Sequence, residues 1–120
     1  MSTRARTARL DLAIEVISDK WRITVLHQLL GGAVRTSKLQ KNLGSISAKV
    51  LTQTLRGLER DGLIERLVSP GVPPRVEYQL SGIGQELIAA LDGLCFWSQS
   101  YGSQTILARR RYDERQTHSR

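Results

Sequence analysis

The stretch SISAKVLTQTLRGLERDGL, residues 45–63, sets two different faces on one helical period. Val50, Leu51, Leu55 and Leu58 recur at the spacing of a core-facing stripe. Lys49, Thr52, Gln53 and Arg56 fall on another face, and all of them are cations or hydrogen-bond formers. Ser47 stands where its hydroxyl can accept an orphan N–H from the first turn. Gly62 after Asp61 is a left-handed stop, and Leu63 beyond it can fold back on Leu58 in a Schellman ending. The pattern predicts a helix of about four turns, anchored by one face and offering a basic, polar face to a partner. DNA is the expected partner.

Working outward, Ser37 with Gln40 three residues later has the form of a capping box. It predicts a short helix through Leu43, broken by Gly44, so that two helices and a tight turn make a helix-turn-helix. Residues 34–36 read as a short extended piece. After Leu63 the period changes to two: Ile64–Ser69 and Arg75–Leu80 read as strands, with Val76, Tyr78 and Leu80 alternating against Arg75, Glu77 and Gln79. The PGVPP segment between them is a stiff turn. Helix, turn, helix and hairpin in that order predict a mainly α fold with a small β-hairpin, a winged helix-turn-helix.

The flanks are more apolar than the middle. Leu10, Ala13, Ile14 and Ile17 mark one stripe of a first helix, and Leu12 and Val16 begin a second. Ser18 and Asp19 offer caps for a helix over residues 21–30, with Ile23, Leu26, Leu29 and Leu30 as its buried side and Gly31-Gly32 as its end. Ser81 can cap a last long helix. Along it Ile83, Leu87, Ala90, Leu91 and Leu94 run at 3–4 spacing, with Ile88, Cys95, Phe96 and Trp97 off that line. Both outer helices carry more apolar surface than a small monomer can cover. The expectation is a homodimer formed through the N- and C-terminal helices, with Leu10, Leu12, Val16, Leu87, Leu91 and Leu94 at the interface. Residues 1–9 read as a flexible basic arm, 10–107 as one DNA-binding and dimerisation domain, and 108–120 as a charged tail.

Charge narrows the class of partner. Eighteen Lys and Arg against eleven Asp and Glu give a net charge of +7, and the pI is about 10.3. Such an excess favours a polyanion, nucleic acid before a membrane surface, although a soluble domain with two basic tails has the same balance. No apolar run approaches the ~20 residues that cross a bilayer, and the basic start leads into no signal-peptide core. The expected location is the cytoplasm. A single cysteine, Cys95, excludes an intramolecular disulfide and suits a reducing compartment. With His27 and His118 the only histidines, no zinc set can be assembled. No glycine-rich phosphate loop and no nucleophile–base constellation occur, so neither a cofactor nor catalysis is expected.

On the central helix Lys49, Gln53 and Arg56 follow at i, i+4 and i+7. Lys and Arg can pair with guanine O6 and N7, and Gln with adenine N6 and N7. Thr52 suits a thymine methyl or a phosphate. Ser45 and Ser47, at the positive end of the helix dipole, suit a phosphate or a plain cap. Arg75 in the wing suits the minor groove or a phosphate. Lys38, Lys41 and Arg60 are candidates for the DNA backbone, with open solvent as the competing reading. Arg4, Arg6 and Arg9 read as a tail rather than an arm laid along DNA. Trp21 and Trp97 read as core or dimer packing, and Cys95 as a small buried hydrophobe, with a sensor across a two-fold axis as its alternative.

Taken together, ISDKW at 17–21, LHQLLGG at 26–32, GSISAKVLTQTLRGLERDGLIER at 44–66 and VPPRVEYQLSGIG at 72–84 resemble the HxlR family of bacterial winged-helix transcription regulators. The resemblance spans residues 10–97, and the VPPRVEY wing followed by Ser-x-x-Gly is its most specific part. It implies a homodimer on a pseudo-palindromic operator near the genes it controls, with repression the expected sense. The rival readings are a winged helix used as a protein-interaction module and a non-specific DNA-coating protein. A cavity between the outer helices and the DNA-binding lobe could take a small-molecule effector, which no residue set here identifies. Many members carry a Cys-Pro ahead of the tryptophan, where this chain has Ala8–Arg9, so the usual redox switch is missing. Ala48 replaces a frequent proline, and Gly57 costs about 1 kcal/mol in a helix interior.

Overall fold

Local signals end the helices where the chain must turn. The computed structural model describes residues 3–118: α1 Thr3–Val16, α2 Lys20–Gln28, β1 Val34–Arg35, α3 Thr36–Leu43, α4 Ala48–Arg60, β2 Ile64–Ser69, β3 Arg75–Leu80 and α5 Gly82–His118. Asp19 caps α2 by accepting the Trp21 N–H at 2.7 Å. Ser47 caps α4 by accepting the Val50 N–H at 3.1 Å. α4 closes in the expected Schellman motif: Gly62, at φ +76°, donates to the Glu59 carbonyl and Leu63 to the Leu58 carbonyl, each at 3.0 Å.

Contacts divide the chain into one unit up to Glu86 and another from Leu87 onward. In the first, α4 lies against α2 and β2, while α3 lies against α2, β1 and β3. Its core is built from Val25 and Leu26 of α2 with Leu29 at its C-cap, Leu39 and Leu43 of α3, and Leu51, Leu55 and Leu58 of α4, all at most 9% exposed. Ile46, in the turn between α3 and α4, is buried among them. The sheet is antiparallel in the order β1-β3-β2. Its register sets Ile64 opposite Leu80, Arg66 opposite Tyr78 and Val68 opposite Val76, while β1 pairs Val34 with Tyr78. Buried Ile64 and Tyr78 mark the face turned to the helices. The second unit is the remainder of α5. Ile88 and Leu91 are buried in the chain, but Leu94, Phe96, Trp97 and Tyr101 are about half exposed or more.

Several expectations change. Helix α1 begins at Thr3, inside the stretch read as an arm, and α5 continues through the stretch read as a tail. Met1, Ser2, Ser119 and Arg120, and the side chains of Arg6 and Ala8, lie outside what is described. Helix α2 stops at Gln28, because Leu29, Leu30 and Gly32 donate to carbonyls three residues back rather than four. That tighter winding turns Leu30 out to 57% exposure and leaves Val25 in the core. The Ser37–Gln40 capping box does not form: α3 starts at Thr36 with Arg35 at its N-cap and no side-chain cap. The Gln40 side-chain amide instead reaches across the turn and donates to the Ile46 carbonyl. On α5 the buried line is Ile88 and Leu91 rather than one including Ile83 and Leu94. Leu91, expected at a dimer interface, is 4% exposed in the single chain. Leu10, Leu12 and Leu94 are open, and Val16 and Leu87 half-buried. Cys95 is exposed, not buried, since it falls on the uncovered side of α5. Trp97 is also open, while Trp21 is half-buried with the Lys20 ammonium 5.0 Å above its ring.

Candidate nucleic-acid interface

Helix α4 has three working sides. Leu51, Thr54, Leu55 and Leu58 are buried, and the Thr54 hydroxyl is satisfied by donating to the Val50 carbonyl at 2.8 Å. Directly opposite, Lys49, Gln53, Arg56 and Arg60 form an exposed line at spacings of four, three and four. None of these three cations forms an ion pair with a described residue. Lys49 lies in the first turn, which holds no acidic residue. A cation there opposes the helix dipole, so its position serves an anionic partner better than it serves the helix.

The flank toward α2 is closed by Arg22. Its guanidinium pairs with Asp61 at 2.6 Å and donates to the Val16 carbonyl at 3.3 Å, joining the ends of α1, α2 and α4. Gly57 makes this crossing feasible, since a Cβ there would sit 2.5 Å from Arg22 Nη2. The glycine that looked like a helix defect is the seat of that clasp. The opposite flank faces the hairpin across a groove of about 490 Å3, lined among others by Thr36, Thr52, Arg56, Glu59, Arg66 and Tyr78.

The structure brings Ser45, Ser47, Lys49, Thr52, Gln53 and Arg56 onto one exposed run from the helix-turn-helix turn along α4. Lys38 and Lys41 are exposed on α3. Arg75 is not part of that run. It lies on the hairpin face opposite Val76 and Tyr78, paired with Glu77 at 3.3 Å. Arg66 is the residue that sequence reading passed over. Strand alternation puts it with Ile64, on the side turned to α4, and the period-two pattern already held that signal.

Among the described residues no group of three or more His, Cys, Asp or Glu is placed to hold a metal ion. No helix there is long and apolar enough to cross a membrane.

The chain is similar to known proteins over most of its length. An HTH-type transcriptional regulator of Methanothermobacter thermautotrophicus is 45% identical over 93 residues, covering 78% of this chain and 71% of that protein. The regulator YtcD of Bacillus subtilis is 42% identical over 101 residues, covering 84% and 80%. Among solved structures, a MarR-family transcriptional regulator of Enterococcus faecalis superposes with a TM-score of 0.77 at 33% identity, over 88% of this chain and 94% of that one. The family model for the HxlR-like helix-turn-helix matches residues 16–106, from the end of α1 to well along α5. With the same helices, turn and wing in the same order, this chain belongs to the HxlR-like helix-turn-helix family.

Proposed function

We propose that the protein is a sequence-specific DNA-binding transcription regulator that acts as a homodimer, as a repressor, in the bacterial cytoplasm. The observation that carries this reading is the unpaired line Lys49–Gln53–Arg56 on a helix whose other sides are fixed by core packing and the Arg22 clasp. Such a helix enters the major groove as a rigid body, and its side chains lose little freedom on meeting base edges. Ser47, already spent on its own helix cap, leaves the remaining first-turn N–H groups to a phosphate. Arg75 reaches the duplex by exchanging Glu77 for a phosphate or a minor-groove edge. The transcriptional-regulator names of the similar proteins support the same reading.

Homodimerisation draws support from exposed Leu10, Leu12, Leu94, Phe96 and Trp97. Two copies related by a two-fold axis would set two α4 helices on half-sites about one helical turn apart.

The test is a mobility-shift titration at several salt concentrations, comparing a fragment from beside the protein's own gene with random DNA. A regulator binds the first at least 10-fold more tightly. Equal affinity for both would refute sequence-specific regulation at that site, and no binding to either would leave the protein-interaction reading in its place.

A further inference from the structure

We infer that the groove between α4 and the β-hairpin is a phosphate seat, in which Arg56 from the helix and Arg66 from β2 close on one phosphodiester of bound duplex. This rests on the DNA-binding reading and adds a contact to it. Arg66 alternates on its strand between Ile64, which is 2% exposed, and Val68, so it belongs to the side turned to α4. An arginine on that side would be costly if it were sealed from water. It is exposed because the groove opens beside it. The nearby carboxylate is Glu59, in the same groove, yet neither Arg56 nor Arg66 forms an ion pair with it or with any other described residue. Two guanidiniums and one carboxylate leave the groove net positive. Thr36 and Thr52 also line it.

The docking geometry supplies the anion. An α-helix of ~10–12 Å diameter fills a major groove ~12 Å wide, so the phosphates of the bounding strands press on its flanks. On α4 the α2-side flank is occupied by Arg22 over Gly57. The wing-side flank, with Thr52, Arg56 and Glu59, is the open one. A guanidinium binds phosphate through two parallel N–H bonds, and two of them from separate elements fix the strand between reader helix and wing. Arg56 therefore divides its donors between base edge and backbone, whereas Arg66 touches backbone only.

The experiment uses the full chain with a duplex selected by the wild-type protein from a random pool, alongside a scrambled duplex of the same length. Arg66→Gln should make the slope of log K against log salt shallower by about 0.9 per protomer, and should weaken binding to both duplexes by the same factor. Arg66→Lys, which keeps the charge, should restore most of the slope. An unchanged slope in Arg66→Gln overturns the seat. A loss confined to the selected duplex also overturns it, because Arg66 would then read a base. If wild type shows no preference for any selected duplex, the regulator reading fails, while the slope on scrambled DNA still decides the seat. Matched thermal melts of the three proteins establish that the variants are folded; if Arg66→Gln is partly unfolded, the folded Arg66→Lys decides, and a slope lost there although the charge is kept overturns the seat.

Discussion

Replacing Gly57 by alanine ought to stabilise a helix, and the structure says that it will not. In a helix interior the exchange ordinarily gains about 1 kcal/mol. Here the new Cβ would lie 2.5 Å from Arg22 Nη2 and 3.3 Å from its Cζ, so the guanidinium must swing away. That forfeits the 2.6 Å pair with Asp61 and the 3.3 Å bond to the Val16 carbonyl. The pair is partly exposed, at 22% and 30%, which holds it to about 1 kcal/mol. The bond to a half-buried carbonyl adds about 1 kcal/mol more. The balance is a loss of about 1 kcal/mol in place of an equal gain. In an Arg22→Ala background nothing obstructs the methyl group, and the same exchange should stabilise by about 1 kcal/mol. The double-mutant cycle therefore predicts a coupling of about 2 kcal/mol and a reversal of sign. Urea unfolding of the four proteins, at one protein concentration because self-association would shift the midpoint, measures both. Stabilisation by Gly57→Ala in both backgrounds would refute the clasp.

Three further outcomes are expected. Gly84→Ala would drive a Cβ onto the Leu63 carbonyl oxygen, which is backbone and cannot step aside; a loss of about 3 kcal/mol should follow, and an unchanged melting temperature would mean that α5 does not start so close to Leu63. Gln53→Ala should weaken binding to a selected duplex by about 1–3 kcal/mol and to scrambled DNA far less; equal losses on both in the same titration would show that Gln53 touches only backbone. Leu94→Glu alters a side chain that is 57% exposed in the single chain, so circular dichroism should stay native while sedimentation shows a shift to monomer, and an intact dimer would place the interface elsewhere.

How legible the fold was depends on how local its causes are. Caps and stops at Asp19, Ser47, Gly62 and Ser81, and the period-two strands, work through neighbours a few residues away, and each stands where the sequence placed it. Ser37–Gln40 failed for a tertiary reason: the Gln40 side chain donates to the Ile46 carbonyl, across a turn whose shape no local rule contains, rather than reaching back to accept a cap N–H. Leu30 failed because its helix tightened one turn early, which rotates a side chain from core to solvent. At the site, the outward line of α4 was readable from helical spacing alone. The Arg22–Asp61 pair, spanning 39 residues of sequence, was not. Arg66 fell between these cases: its strand face was readable, but the groove it opens onto exists only once β2 is laid beside α4.

The junction at Ser81 has a consequence for how such a protein can change over time. Its N–H donates to the Leu63 carbonyl at 3.1 Å, and its hydroxyl donates to the Gly62 carbonyl at 2.6 Å while accepting the Gly84 N–H at 3.1 Å. The hairpin therefore leaves the body of the protein and returns to it at one tied point. Its far tip, where Val72 is fully exposed, lies at the other end of both strands from that junction. Doubling the length of a flexible loop costs only about 0.6 kcal/mol. Insertions and deletions at the tip can thus alter how far along a duplex the protein reaches, while substitutions on α4 alter which bases it prefers. The two traits can drift independently, which lets one scaffold serve many operators.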